Sequence, residues 1–220
     1  MNKYICFSLW GDSSIYNYGA IENVLLAKDL YPDFKCIFYI GKNVLPKIVK
    51  LLHQQDNTII IKRDDYDNKL SNMLWRYEKA FLETENSIFL FRDCDSRLSQ
   101  REQQAVLEWL ESDYQFHIMR DHPKGHFGRI LGGMFGCRNN GLVPFNYLFQ
   151  LFNNFHGEYY CDMNMLELIY PHIIEKTMVH ASSFKYEKTC RDFQINQNMY
   201  IGEPIYTCPN ADKLLHENNN

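Results

Sequence analysis

No two of the seven cysteines form a Cys-x-x-Cys pair, and their number is odd. Cys6, Cys36, Cys94, Cys137, Cys161, Cys190 and Cys208 are scattered, which excludes a zinc ribbon and a disulfide framework on spacing alone. Several fall in apolar runs, where unpaired thiols commonly sit, so a reducing, intracellular setting is the expectation. No apolar run approaches the length of a bilayer span. The opening Met-Asn-Lys-Tyr-Ile-Cys-Phe leads straight into an expected strand without the layout of a signal peptide. These absences together predict a soluble, cytoplasmic protein. An excess of positive charge is also missing: 23 basic and 27 acidic residues leave a net charge of −4, which gives no electrostatic case for nucleic acid. There is no internal repeat and no linker-like composition, and 220 residues suit one domain with a sizeable core. Aromatic residues are plentiful, with 15 Tyr and 15 Phe, which core packing explains more readily than a stacking surface.

Read in order, the first ~95 residues alternate strand and helix. Strands are expected over Tyr4–Trp10, Lys35–Ile40, Asn57–Ile61 and Ile88–Phe91. Helices are expected from about Asn17, near Val44–Leu52 and over Leu70–Leu82. This alternation predicts an α/β fold, with a mostly parallel central sheet and helices on both faces. Further on, a helix to about Ser112, a strand at Phe116–Met119 and a polar loop at Arg120–His126 follow. A glycine-rich strand or turn at Ile130–Cys137, helices at Phe145–Phe155 and Met163–Tyr170, and a strand at Thr177–His180 complete the second half. Tyr200–Tyr206 reads as strand and turn, and the end of the chain as a frayed tail.

The stretch Ser87-Ile-Phe-Leu-Phe-Arg-Asp-Cys-Asp-Ser-Arg-Leu-Ser99 organises this pattern. A buried strand stops at Arg92, and two carboxylates follow at Asp93 and Asp95. Side chains two apart in an extended segment point the same way, so the pair can grip one hard cation, Mg²⁺ or Mn²⁺, which in turn suits phosphate oxygens. Ser99-Gln-Arg-Glu102 spells a capping box, so a helix begins directly after the turn. Strand, acidic turn and helix form the ligand-bearing edge of an open α/β sheet.

Several segments around this turn occur in a recognisable order. They are Met73-Leu-Trp-Arg-Tyr77, Phe91-Arg-Asp-Cys-Asp-Ser-Arg97, Glu102 with Trp109-Leu110, Phe116-His-Ile-Met-Arg-Asp-His122, Leu131-Gly-Gly-Met-Phe-Gly-Cys137 and Tyr200-Ile-Gly-Glu203. Together they span roughly two thirds of the chain. The set resembles the small DxD-containing nucleotide-sugar glycosyltransferases of the GT-A fold, especially compact ones of large DNA viruses and some bacteria. The departures lie in the second half, where Val179-His180-Ala181-Ser182 replaces a His followed by Asp, and Asp162-Met-Asn164 replaces an Asp-Gln pair.

The resemblance implies a GT-A-like domain over residues 1–220. It would have a Rossmann-like nucleotide-sugar half (1–98), an irregular acceptor-side half (99–212) and a flexible tail (213–220). It also implies transfer of a sugar from a nucleoside diphosphate sugar, UDP before GDP, to a hydroxyl on a glycan or similar acceptor. A viral member would act in the host cytoplasm or the virion. The metal, Mn²⁺ or Mg²⁺, would be held by Asp93 and Asp95 with His180 as third ligand, although a strand-end histidine is as readily a hydrogen-bonded structural one. Donor contacts are expected from Ser8, Leu9, Trp10 and Gly11 at the end of the first strand, from Asp64 or Asp65, from Arg76, Arg92 and Cys94, and from Gly132-Gly133. Arg76 is equally readable as a surface arginine, and the two glycines as a tight turn. Asp162 and Asp121 are the candidates for an acid or base at the acceptor. A haloacid-dehalogenase-type phosphohydrolase also places Asp-x-Asp-x-Ser after an apolar strand, but on its first strand. A non-catalytic sugar-nucleotide-binding module is a further alternative.

Overall fold

The computed structural model describes residues 1–63, 70–83, 85–153, 160–196 and 198–217. Its strands are β1 (Asn2–Leu9), β2 (Lys35–Ile40), β3 (Thr58–Lys62), β4 (Ser87–Phe91), β5 (Phe116–Arg120), β6 (Phe135–Arg138) and β7 (Thr177–Ala181). They form one sheet in the order β3-β2-β1-β4-β6-β5-β7. Only β6 runs against its neighbours, β4 and β5; the other pairings are parallel. The mostly parallel α/β architecture expected from the strand–helix alternation is therefore present.

The period of two in the strands sorts side chains between two cores. Ile5, Phe7, Leu9, Phe38, Ile40 and Leu90 pack on one face, against α1 (Ser14–Leu30), α2 (Pro46–His53) and α4 (Gln100–Leu110). Cys6, Ile37, Tyr39, Phe89 and Phe91 pack on the other. There they meet α3 (Glu78–Leu82), α5 (Asn146–Asn153) and α6 (Cys161–Ile173). The central residues of β1, β2 and β4 are apolar on both faces because helices cover both sides of the sheet there. Ser99 caps α4 as its sequence predicts, its Oγ accepting the Glu102 N–H at 3.2 Å.

Several local expectations need correction. The helix expected over Leu70–Leu82 is a 3-10 turn, Leu70–Tyr77, before α3 begins. Ser8 pins this turn to the end of β1: its Oγ accepts the Arg76 N–H at 3.0 Å and donates to the Met73 carbonyl at 3.3 Å. In the glycine-rich stretch β6 starts only at Phe135, because the chain must first reverse after β5 to insert between β5 and β4. Tyr200–Tyr206 forms no strand; it is tied to the acidic turn by the Ile205 N–H on the Asp95 carbonyl at 2.8 Å. The tail expected from residue 213 is helical to Glu217, as part of α7 (Pro209–Glu217). The Glu22 carboxylate caps that helix by accepting the N–H groups of Asn210 and Ala211 at 2.7 and 2.9 Å, a partner 188 residues away. Among the described residues no disulfide forms, and no helix is long and apolar enough to cross a membrane.

Candidate active site

A cleft of about 630 Å³ opens at the carboxyl ends of β1 and β4, where ligands bind in open α/β sheets. It brings together most of the residues singled out from sequence: Ser8, Trp10, Gly11, Arg76, Asp93, Cys94, Asp95, Gly132, Gly133 and Asp162 all line it. The acidic turn is held rigidly from behind. Asn23 on α1 donates to the Ser96 carbonyl at 2.8 Å and accepts the Leu98 N–H at 3.0 Å. Arg97 donates to the carbonyls of Cys94, Ser96 and Ile205, so it supports the turn from within.

Arg76 is the hub of the cleft. Its side chain is only 5% exposed and bridges two carboxylates from distant elements. One guanidinium nitrogen donates to Asp93 and to the Arg92 carbonyl; the other meets Asp162 Oδ2 at 2.8 Å. The planar fork of arginine suits such a bridge, which a lysine ammonium cannot reproduce. Tyr77 adds a hydroxyl that donates to the Gly132 carbonyl at 2.7 Å and lies 3.4 Å from Asp162 Oδ2. Asp162 stands in the first turn of α6, where a carboxylate is favoured, and its Oδ1 accepts the Met163 N–H at 2.8 Å. Both its oxygens are thereby engaged.

The two glycines are explained by these carboxylates. A Cβ on Gly132 would fall 1.9 Å from Asp162 Oδ2, and one on Gly133 would fall 1.9 Å from Asp93 Oδ2. The backbone at 132–133 therefore approaches both acids as no other residue type permits. Asp93 keeps 45% of its side chain exposed to the cleft. Burial, reinforced by the charge of Asp93, pushes the Asp95 carboxyl up to about 6. Two carboxylates so placed offer an oxygen-only donor set, and magnesium-type cations are commonly held by one or two carboxylates together with phosphate oxygens. The residues fit such an ion, although among the described residues no cluster of three or more ligating side chains forms.

The structure turns several expected residues away. Leu9 is fully buried and belongs to the core on the α1 face. Arg92 is 3% exposed and paired with Glu102 at 2.7 Å, its guanidinium also donating to the carbonyls of Phe91 and Phe135. It stitches β4 to α4 and β6 and does not line the cleft. Asp121 is gripped by both forks of Arg101 at 2.7 and 2.8 Å and also accepts from Ser182 and the Ile201 N–H. Burial alone would raise its carboxyl, yet these donors hold it below the usual range. His180 is fully buried beside His117, and burial lowers both imidazoles, so both are neutral. Its Nε2–H donates to Glu108 at 3.1 Å, which leaves Nδ1 to accept from His117 at 2.9 Å. No lone pair remains for a metal. Cys94 lines the cleft, but burial raises its thiol, which points to the Ser8 carbonyl. Asp64 and Asp65 lie outside the described residues.

Sequence reasoning missed Tyr16, His126, Tyr160 and Tyr200, all in the cleft lining. His126 Nδ1 accepts the N–H groups of Asp121 and His122 at 2.9 and 3.1 Å, so its proton sits on Nε2. Burial, then the neighbouring His122, lower its pKa to about 4, so it is a neutral donor. The signals in the sequence were the two histidines in one polar loop and, for Tyr200, its place in a segment that carries the resemblance.

No protein-family model and no curated sequence matches this chain. Solved structures do. A glycosyltransferase involved in glycosylation of the major capsid of PBCV-1 aligns over 99% of this chain and 100% of its own, at 13% identity and a TM-score of 0.54. A Bacillus anthracis protein assigned as a glucose-1-phosphate thymidylyltransferase, in complex with sucrose, aligns over 83% of this chain and 87% of its own, at 10% identity and a TM-score of 0.51. At such identities the likeness is one of fold alone, and the mostly parallel seven-stranded α/β sheet is GT-A-like.

Proposed function

We propose that this protein is a metal-dependent glycosyltransferase that moves a sugar from a nucleoside diphosphate sugar, UDP before GDP, to a hydroxyl acceptor on a glycan. The observation that carries this reading is the meeting of Asp93, Asp95, Arg76 and the Gly132-Gly133 backbone in one cleft at the strand ends. Breaking the anomeric C–O bond leaves a diphosphate on which charge grows. Asp93 and Asp95 would hold Mn²⁺ or Mg²⁺, which when bound supplies Lewis-acid stabilisation of that charge. Arg76 adds a fixed cation whose orientation is set before substrate arrives, because Asp162 and Asp93 already hold its fork. Asp162 acts here as a positioning residue for Arg76, since both its oxygens are committed. Trp10, Gly11 and Tyr16 line the end where the base and ribose would lie, and the glycine backbone would border the donor sugar. His126 presents a neutral N–H donor to the same cleft.

The phosphohydrolase alternative is not favoured, because its motif belongs on the first strand and here the carboxylates follow β4. A panel of UDP- and GDP-sugars incubated with Mn²⁺ tests the proposal: nucleotide diphosphate release, lost on Asp93→Asn, is expected. Release of pyrophosphate from a nucleoside triphosphate and a sugar phosphate instead would assign nucleotidyl transfer on the same fold.

A further inference from the structure

A second cleft, about 670 Å³ in volume, shares Tyr160 and Met163 with the first. The two clefts are therefore neighbours, with Tyr160 and Met163 between them. Tyr160 stands in the left-handed backbone region, with φ of 72°, directly before α6. That is an uncommon conformation for a bulky side chain, and it sets the ring at the junction. The lining of the second cleft is aromatic, with Phe127, Tyr160, Tyr170 and Tyr186, and Phe127 and Tyr186 are 57% and 50% exposed. Exposed rings of this size gathered in one concavity form the kind of apolar patch that marks a binding surface.

The aromatic walls are interrupted by Asn164 and by one ion pair. Arg129 and Glu167 face each other in the cleft, with side chains 46% and 39% exposed, and the Arg129 guanidinium lies 4.8 Å from the centre of the Tyr170 ring. The Tyr186 hydroxyl donates to the Phe127 carbonyl, which ties the two exposed rings into one wall. The cleft thus offers flat apolar faces, hydrogen-bond donors from arginine and acceptors from glutamate, with no net charge. A pyranose needs this combination, because its C–H face is apolar while its rim carries hydroxyls that both donate and accept. An acyl chain would bury the Arg129–Glu167 ion pair and leave its remaining donors and acceptors unmet, which is costly.

We infer that the second cleft binds the part of a neutral oligosaccharide acceptor that lies beyond the sugar being modified, so that the enzyme extends a glycan chain and not a single sugar. This inference rests on the proposed donor site only for the direction of the chain; the cleft itself stands on its own lining.

The test uses the full-length protein, a printed array of neutral oligosaccharides of one to six sugars, and the variants Phe127→Ala and Tyr186→Ala, singly and together. Both rings are half exposed and belong to neither of the two main core clusters, so the variants are expected to fold. Titration of UDP with Mn²⁺ on the same variants reports whether the donor cleft is intact. The expected result is retention of glycans of three or more sugars by the wild-type protein, weakened tenfold or more in the double variant, with single sugars bound weakly by both. Failure of the wild-type protein to retain any glycan on the array overturns the inference, as does retention that the double variant leaves unchanged. Glycan retention without nucleotide binding would uphold the cleft as a glycan site and sink the proposed transfer reaction instead.

Discussion

The backbone of Gly133 lies so close to Asp93 that a single added methyl group would stand 1.9 Å from Oδ2 of the carboxylate. One of these groups must move if Gly133 gains a side chain. Gly133→Ala is expected to displace Asp93 from the position at which it meets Arg76, destabilising the fold by about 1–3 kcal/mol as an overpacking change. Metal-dependent nucleotide affinity should fall at least tenfold, measured by calorimetry at a temperature where the variant is folded. Unchanged affinity would mean that Asp93 is not placed by this contact.

Arg76 joins Asp93 to Asp162 across two elements that no other described side chain links in this way. Arg76→Met leaves the buried Asp162 carboxylate uncompensated beside a solvent-screened Asp93 and should cost about 2–4 kcal/mol, read from denaturant unfolding. Arg76→Lys should recover only part of this, because an ammonium cannot satisfy both acids in the geometry of the fork.

Asp121 gives a pH dependence separate from the cleft. Its carboxyl is held below its ordinary value of 3.8 by Arg101, Ser182 and the Ile201 N–H, against the opposing effect of burial. Stability from a lowered carboxyl is fully present above the unfolded value and is lost as pH falls through the folded one. The wild-type protein should therefore lose this contribution below about pH 4, and Asp121→Asn should flatten that arm of the stability profile. At neutral pH Asp121→Asn should unfold at lower denaturant while its nucleotide affinity is unchanged. A weakened nucleotide affinity would return Asp121 to the binding site.

His180 is tested in the same spirit. With Nε2–H on Glu108 and Nδ1 accepting from His117, it has nothing left for a cation. His180→Gln should leave Mn²⁺ affinity within twofold of wild type while lowering stability by about 1–3 kcal/mol, the cost of leaving a buried polar partner unmet. A large loss of Mn²⁺ affinity in folded protein would restore His180 as a ligand.

The features legible in the sequence are those set by local pattern. The strand ending at Phe91 and the Ser99 cap of α4 depend on neighbours within a few residues, and both form as read, whereas the Glu102 carboxylate turns to Arg92 and does not close a reciprocal capping box. The convergence of Gly132-Gly133 and Asp162 on the acidic turn followed from the ordered resemblance. The misplacements share one cause. Arg92, Asp121 and His180 are polar residues near strand ends, and whether such a side chain faces a cleft or a buried partner depends on contacts distant in sequence. Glu102, Arg101 and Glu108 on α4 supply those partners. α4 thus takes up three groups expected at the donor, the acceptor or the metal. The helical end of the chain was hidden for the same reason, since its cap, Glu22, lies on α1.

The central claim is that Asp93 and Asp95 hold a nucleoside diphosphate through a divalent cation, and calorimetric titration tests it directly. UDP and GDP are titrated into the protein with Mn²⁺, with EDTA, and into Asp93→Ala/Asp95→Ala protein shown to be folded. The account predicts binding of UDP, tighter than GDP, that needs Mn²⁺ and disappears in the double variant. Binding that persists in EDTA and in the variant, or no binding of either nucleotide with Mn²⁺ present, would contradict it.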